Sequence, residues 1–148
     1  MERNDFKKMF GEIAKENGFE RAYEGWFREF PEIIQVLDLQ KSNYGNYYYL
    51  NIKIFIQGAF GNKYTKSKQL VKTDGGDIFL RQTDNYSNLL NLDAPLEDDD
   101  RKNGLRKMFE DFIVPFSEKT NTKERIKELH KKGDLFILPA VKEELGIQ

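Results

Sequence analysis

Apolar and polar residues alternate most regularly over residues 46–57, where Tyr48, Leu50, Ile52, Ile54 and Ile56 interleave with Tyr47, Tyr49, Asn51, Lys53 and Phe55. A period of two carried this far marks a β-strand with two differently furnished faces. Residues 32–41 form a second apolar-rich run, and the intervening Ser42-Asn43-Tyr44-Gly45-Asn46 holds residues that tolerate positive φ. The two runs predict a long antiparallel hairpin. Two shorter strands are expected before it, over residues 19–23 and 25–30, on either side of a turn at Glu24-Gly25. Pro31 has no amide to donate and marks the turn into the hairpin. After the turn Asp74-Gly75-Gly76-Asp77, strands are expected over residues 78–82 and 89–92, for a sheet of five to six strands.

The period changes to that of a helix at both ends of the chain. Phe6, Met9, Phe10, Ile13 and Ala14 form one apolar stripe, with Asn4 as the expected cap and Gly18 as the stop. From Asp98 onward, Leu105, Met108, Phe109, Phe112, Ile113 and Phe116 repeat the pattern until Pro115, which is expected to kink or end the helix. Asn121 with Glu124 resembles a capping box opening a helix through Lys132, which Gly133 stops. A last short helix is expected after Pro139, with Val141 and Leu145 facing inward. Between Gly58 and the turn at Asp74 the pattern weakens, and residues 62–68 read as a solvated basic loop. Helix, meander, then helices predicts an α+β fold with an antiparallel sheet and C-terminal helices packed on its aliphatic face. At 148 residues with no internal repeat or linker, the chain is expected to be a single domain over 1–148.

Composition narrows the partners more than the chemistry. A net charge of −1 gives no electrostatic reason to expect nucleic acid or an anionic membrane. There is no cysteine, hence no disulfide and no thiolate chemistry, and a reducing compartment suits the chain. The N-terminus runs directly into an amphipathic pattern, and no apolar run approaches the ~18 residues of a membrane span. A cytoplasmic location is expected.

Gly18-Phe19, Trp26-Phe27-Arg28-Glu29, Ile34-Gln35-Val36-Leu37, Gln40-Lys41-Ser42, Tyr44-Gly45-Asn46 and Tyr49-Leu50-Asn51 together resemble a bacterial family catalogued as domain of unknown function 4304. The resemblance extends more loosely to Ile78-Phe79-Leu80-Arg81 and the C-terminal helices. It implies a compact domain with this helix–meander–helix layout, and it implies no catalytic residue. Small bacterial domains of this kind sometimes act as antitoxin or immunity partners, which is an analogy of scale.

Candidate site residues come from the sheet faces. If the loop closes so that Lys41 faces Tyr47, then Val36 pairs with Ile52, Ile34 with Ile54, Leu37 with Asn51 and Leu39 with Tyr49. A two-residue turn at Phe30-Pro31 would set Trp26 beside Gln35 and Arg28 beside Ile33. One face would then carry Phe27, Ile34, Val36, Leu50, Ile52 and Ile54 as core. The other would carry Trp26, Arg28, Gln35, Leu37, Leu39, Tyr47, Tyr49, Asn51, Lys53 and Phe55. A one-residue slip would exchange the sides. A face that mixes rings with amide and cationic tips suits recognition, so Trp26, Arg28, Gln35, Lys41, Tyr44, Tyr47, Tyr49, Asn51 and Lys53 are the candidate binding residues for a protein partner. Cross-strand aromatic pairs that only stabilise the sheet, or that the first helix covers, are the structural alternative. The functional alternative is an enzyme or small-ligand binder with a cleft near Arg28, Gln35, Asn51 and Lys53.

Other motifs carry less. His130 is the only histidine, lies in a helix's last turn and has no orienting neighbour in sequence. Glu97-Asp98-Asp99-Asp100 sits where acidic residues favour a helix start, and it lacks the glycine and alternating ligands of a calcium loop. Gly58-Ala59-Phe60-Gly61-Asn62-Lys63 has the wrong spacing for a phosphate loop. Tyr44-Gly45-Asn46-Tyr47-Tyr48-Tyr49 lacks the preceding basic residue of an RNA-stacking motif. No catalytic residue, metal site or cofactor is expected.

Overall fold

A computed structural model describes residues 1–147. Strands β1 (Glu20–Ala22), β2 (Gly25–Glu29), β3 (Ile33–Lys41), β4 (Tyr48–Ile56) and β5 (Ile78–Arg81) form one antiparallel sheet, each lying beside its neighbour in sequence. Helix α1 (Arg3–Glu16) precedes the sheet, and the short α2 (Lys68–Lys72) lies between β4 and β5. After β5 come α3 (Ser87–Leu90), α4 (Asp98–Met108), α5 (Val114–Lys119), α6 (Lys123–Lys131) and α7 (Pro139–Leu145). The architecture is the α+β meander that the periodicities predict. No helix among the described residues is long and apolar enough to cross a membrane.

The main core lies on one face of the sheet. Trp26, Leu37, Leu39, Tyr48, Leu50, Ile52, Ile54 and Ile56 pack there against the buried stripe of α1 and against residues of α4, α6 and α7. The Phe10 ring sits 4.8 Å from Trp26 and 5.2 Å from Phe109, which joins the first helix to both the sheet and the C-terminal helices. Each such ring or aliphatic chain contributes roughly 1.5–3 kcal/mol by leaving water. A smaller cluster covers part of the opposite face: Phe27, Ile34, Val36 and Phe55 lie beneath Leu70 and Val71 of α2, with Tyr64 at the side. At five residues α2 is too short for a helical period to show, which is why this stretch reads as loop; its signal is Ser67, whose hydroxyl accepts from the Leu70 amide at 3.3 Å.

The hairpin corrects the expected register. Lys41 faces Tyr48, and Leu37 pairs with Ile52, Gln35 with Ile54, Val36 with Lys53 and Asp38 with Asn51. The cause is local: the Ser42 hydroxyl accepts from the Tyr44 amide at 3.0 Å, and the Ser42 amide donates to the Tyr47 carbonyl at 2.9 Å. Ser42 therefore belongs to the ladder and the loop shrinks to residues 43–46. The turn before β3 is Pro31-Glu32, so Trp26 pairs with Leu37 and Arg28 with Gln35, two residues from the expected register and on the same face as expected. One slip is odd and the other even. The net result is that Trp26, Arg28, Gln35, Leu37 and Leu39 share the main-core face with Leu50, Ile52 and Ile54. Tyr49, Asn51, Lys53 and Phe55 lie opposite, with Phe27, Ile34 and Val36.

Several smaller expectations change as well. Residues 89–92 form no strand; α3 occupies Ser87–Leu90, and a single bridge pairs Asn91 with Tyr47. Glu2 rather than Asn4 precedes the first turn of α1, with no side-chain cap, whereas Gly18 takes the expected left-handed φ of 87°. Thr122, not Asn121, caps α6, its hydroxyl accepting from the Arg125 amide at 3.1 Å, and Gly133 stops that helix at φ 80°. Val141 and Leu145 are buried as predicted. Pro115 does not end its helix. A π-turn over Phe109–Ile113 precedes it, with the Val114 amide bonded to the Phe109 carbonyl, and the chain continues helically to Lys119.

Two polar ties hold the helices in place. On the core face the Gln35 amide donates to the Ser117 carbonyl (2.9 Å) and the Thr120 hydroxyl (3.1 Å), and the Ser117 hydroxyl donates back to the Gln35 oxygen. Arg28 adds bonds to Ser117 Oγ at 2.9 Å and Glu118 at 3.0 Å. Arg101 is buried with no carboxylate partner among the described residues and spends its guanidinium on the Leu89 (2.6 Å) and Asn91 (3.0 Å) carbonyls, fastening α4 to the end of α3.

The seat of α2 makes one residue of β2 intolerant of a side chain. A Cβ on Gly25 would lie 2.8 and 2.9 Å from the two Val71 methyls and 3.2 Å from the Leu37 carbonyl. Gly25→Ala should therefore destabilise by about 1–3 kcal/mol through overpacking, although alanine is otherwise no worse than glycine in a strand. Urea unfolding checks this, and an unchanged midpoint would contradict the packing of α2 on β2.

Candidate functional site

Helix α2 covers only half of the second sheet face. Beyond it, Gln40 on β3, Tyr49 and Asn51 on β4, and Phe79 and Arg81 on β5 form an adjoining patch, with Tyr47 at its end. Asn51 is buried, whereas Gln40, Phe79 and Arg81 are exposed and the two tyrosines half-buried. The strand period explains the grouping: odd positions of β4 and β5 meet the even positions of β3 on this side.

The polar groups of the patch are already committed to one another. Arg81 Nε donates to Asn51 Oδ1 at 2.9 Å and Nη2 to Gln40 Oε1 at 3.1 Å. Asn51 Nδ2 donates to Gln40 Oε1 at 2.9 Å and to Asp38 Oδ2 at 3.3 Å. The Arg81 guanidinium lies 4.3 Å from the Tyr49 ring centre and 5.8 Å from that of Phe79. Tyr47 meets Tyr49 edge to face at 5.5 Å, their hydroxyls 3.4 Å apart. Stacking plus two hydrogen bonds fixes a long side chain that would otherwise lose about 1.5–2 kcal/mol of rotamer freedom on contact.

A buried charge pair borders the patch. Lys53 Nζ donates to the Val71 carbonyl at 2.6 Å, closing the C-terminal end of α2, and lies 3.9 Å from Asp38. Burial pushes the Lys53 ammonium below its usual pKa, and the Asp38 carboxylate opposes that shift. Lys72 approaches Asp38 at 3.9 Å and Glu24 at 3.7 Å from the rim. A cleft of ≈ 440 Å³ opens here, lined in part by Lys7, Asp38, Gln40, Lys41, Lys53 and Lys72.

The sequence-predicted residues thus divide into three groups. Tyr47, Tyr49, Asn51 and Lys53 do come together on one face. Lys41 and Tyr44 sit at the hairpin tip, where Lys41 Nζ donates to the Gly45 carbonyl and Tyr44 is 91% exposed. Trp26, Arg28 and Gln35 lie across the sheet: Trp26 and Gln35 are buried and Arg28 is half-buried. The expected cleft joining Arg28 and Gln35 to Asn51 and Lys53 is therefore corrected, because the sheet itself separates the two pairs. Asp38, Gln40, Lys72, Phe79 and Arg81 are the residues that sequence reasoning missed. Asp38 had a signal, since a carboxylate between Leu37 and Leu39 in an apolar strand must find donors.

Of the other motifs, His130 Nδ1 lies 3.0 Å from the Leu135 carbonyl, and Asp98, Asp99 and Asp100 occupy the first turn of α4. Among the described residues no group of three or more His, Asp or Glu is arranged to hold a metal ion.

The model of a family described as Domain of unknown function (DUF4304) matches residues 10–119. The match takes in the whole sheet and every residue of the open patch, while α6 and α7 lie beyond it. No curated protein and no solved structure matches the chain.

The lowered pKa of Lys53 has a definite sign in stability. The unfolded chain holds this proton more tightly, so between the lowered value and the ordinary 10.5 unfolding takes up a proton and stability rises with pH. The cost of burying the ammonium is felt in full below that window. Comparing wild type with Lys53→Met by urea unfolding across alkaline pH, the stability difference should move in favour of wild type as pH rises through the window. A pH-independent difference would contradict it.

Proposed function

We propose that the chain, which belongs to the DUF4304 family, is a protein-binding module that meets its partner through the open half of the second sheet face. One observation carries this reading: Arg81 is stacked on Tyr49 and bonded to Asn51 and Gln40 before any partner arrives. Tyr and Arg are the side chains that most often dominate contact energies, and their value rises when no ordering remains to be done. The partner surface that fits offers carboxylates or amides to Arg81 and Gln40, and apolar groups to the Tyr49 and Phe79 rings. An antitoxin- or immunity-like partnership is one instance of this role.

A second reading has its own support. The cleft beside the Asp38–Lys53 pair has a volume within the range of small-ligand sites, and Asn51 and Lys53 both reach it. A small polar ligand there would raise the thermal midpoint of the wild type and not that of Lys53→Met.

The double variant Tyr49→Ala, Arg81→Ala tests the first reading. With the partner identified by affinity capture and quantified, its affinity should fall by about tenfold or more, the scale of one or two contact hot spots. The circular dichroism spectrum should stay unchanged. Phe136→Ser, at a residue 80% exposed outside the patch, should leave affinity as it was. Equal affinity for wild type and the double variant would overturn the assignment.

A further inference from the structure

Strand β3 outlasts its neighbour. β2 pairs with β3 only from Glu29↔Ile34 to Trp26↔Leu37, whereas β4 accompanies β3 as far as Lys41↔Tyr48. Before Gly25 the chain turns away into β1 through Tyr23 and Glu24, both at positive φ (52° and 65°). Residues 38–41 of β3 therefore have a strand on one side only.

In an antiparallel ladder each residue directs its N–H and C=O to the same neighbour, and successive residues alternate. The Ser42 amide bonds the Tyr47 carbonyl, and the Gln57 amide bonds the Glu32 carbonyl, each at 2.9 Å, so even-numbered positions face β4. The reciprocal Phe30–Ile33 bonds place odd-numbered positions toward β2. Leu39 and Lys41 are odd, and their four main-chain groups point to the side that β2 has left. β2 pairs with neither residue, and no turn or loop backbone bond reaches either of them among the described residues. Such an edge is a template for another strand.

The surroundings select the kind of strand. The edge borders the ≈ 440 Å³ cleft between Lys7 of α1 and the Lys72–Gly75 end of α2. Four lysines, Lys7, Lys41, Lys53 and Lys72, line that cleft against two aspartates, Asp38 and Asp74. Lys7 and Lys41 have no carboxylate partner among the described residues. Four main-chain groups alone support a short and weak attachment, so complementary charge must supply the rest.

We propose that the unpaired β3 edge, half-buried at Lys41 and 5% exposed at Leu39, takes a short acidic peptide segment as an added strand. Its main chain bonds Leu39 and Lys41 while its carboxylates meet Lys7, Lys41 and Lys72. This rests on the protein-binding reading and names the part of the partner that is held.

The probe is a fluorescein-labelled hexapeptide alternating Glu and Val, followed by fluorescence anisotropy at low ionic strength. Two controls accompany it: a Lys/Val hexapeptide, and the Glu/Val peptide N-methylated at alternate residues so that it cannot pair along the edge. The acidic probe should bind about tenfold or more tightly than either control, and Lys7→Glu with Lys41→Glu should cost about tenfold again, the ratio that 1.4 kcal/mol produces. Amide exchange at Leu39 and Lys41 should slow when the probe is bound. Equal binding of the N-methylated peptide, or no binding of the acidic probe at millimolar concentration, would overturn the proposal. Loss of the partner by the Tyr49→Ala, Arg81→Ala variant without acidic-peptide binding sinks the edge alone. Peptide binding with an unaffected double variant sinks the open-face assignment alone.

Discussion

The bond from the Ser42 amide to the Tyr47 carbonyl sets the phase of β4, and with it β5, against β3. Side chains alternate with a period of two, so moving this closure by one residue would send every β4 side chain to the other side. In the observed phase, Leu50, Ile52 and Ile54 meet Leu37 and Trp26 beneath α1 and the C-terminal helices, where the large core forms. The tyrosine side of β4 is left to the opposite face. That face has enough apolar surface at Phe27, Ile34, Val36 and Phe55 to seat one short helix, and α2 takes it. The remaining positions carry Gln40, Asn51 and Arg81, which satisfy each other and need no cover.

The element order and most element types were legible because each long element carries many repeats of its own period. β4 has nine residues of alternation, and the α1 stripe returns four buried side chains at helical steps. The pairing phase was not legible, because it depends on whether Ser42 counts as loop or ladder, and one hydroxyl-to-amide bond decides that. The same limit divided the candidate site. Tyr49, Asn51 and Lys53 lie on one strand and keep company in any register, whereas joining Trp26, Arg28 and Gln35 to them required the right offset across β3. Phe79 and Arg81 were hidden differently: a four-residue strand shows its alternation, but its neighbour is known only once β5 lies beside β4.

The polar groups on the second face are costly to keep. Asp38 and Lys53 are both nearly fully buried, and their 3.9 Å separation is long for a bonded pair. Desolvation of such groups commonly consumes the attraction between them, and an apolar pair of equal volume would give similar or greater stability. Their arrangement makes sense as geometry: Lys53 closes α2, Asp38 receives Asn51, and Asn51 orients Arg81. A chain of contacts thus runs from the covered half of the face to the exposed guanidinium.

The π-turn at Phe109–Ile113 has a consequence for how this chain can change length. Such a turn absorbs one residue beyond the α-helical count within its wider loop, so the residues after it keep the phase of an uninterrupted α-helix one residue shorter. Immediately downstream stand Ser117, Glu118 and Thr120, which grip Gln35 and Arg28 across the sheet. Deleting a single residue within the turn would restore a regular α-helix with its clasp still facing Gln35 and Arg28, whereas a deletion after Val114 would swing the clasp by about 100°. The chain can therefore change length by one residue at the turn, while the count between Val114 and Thr120 is fixed by the grip on the sheet.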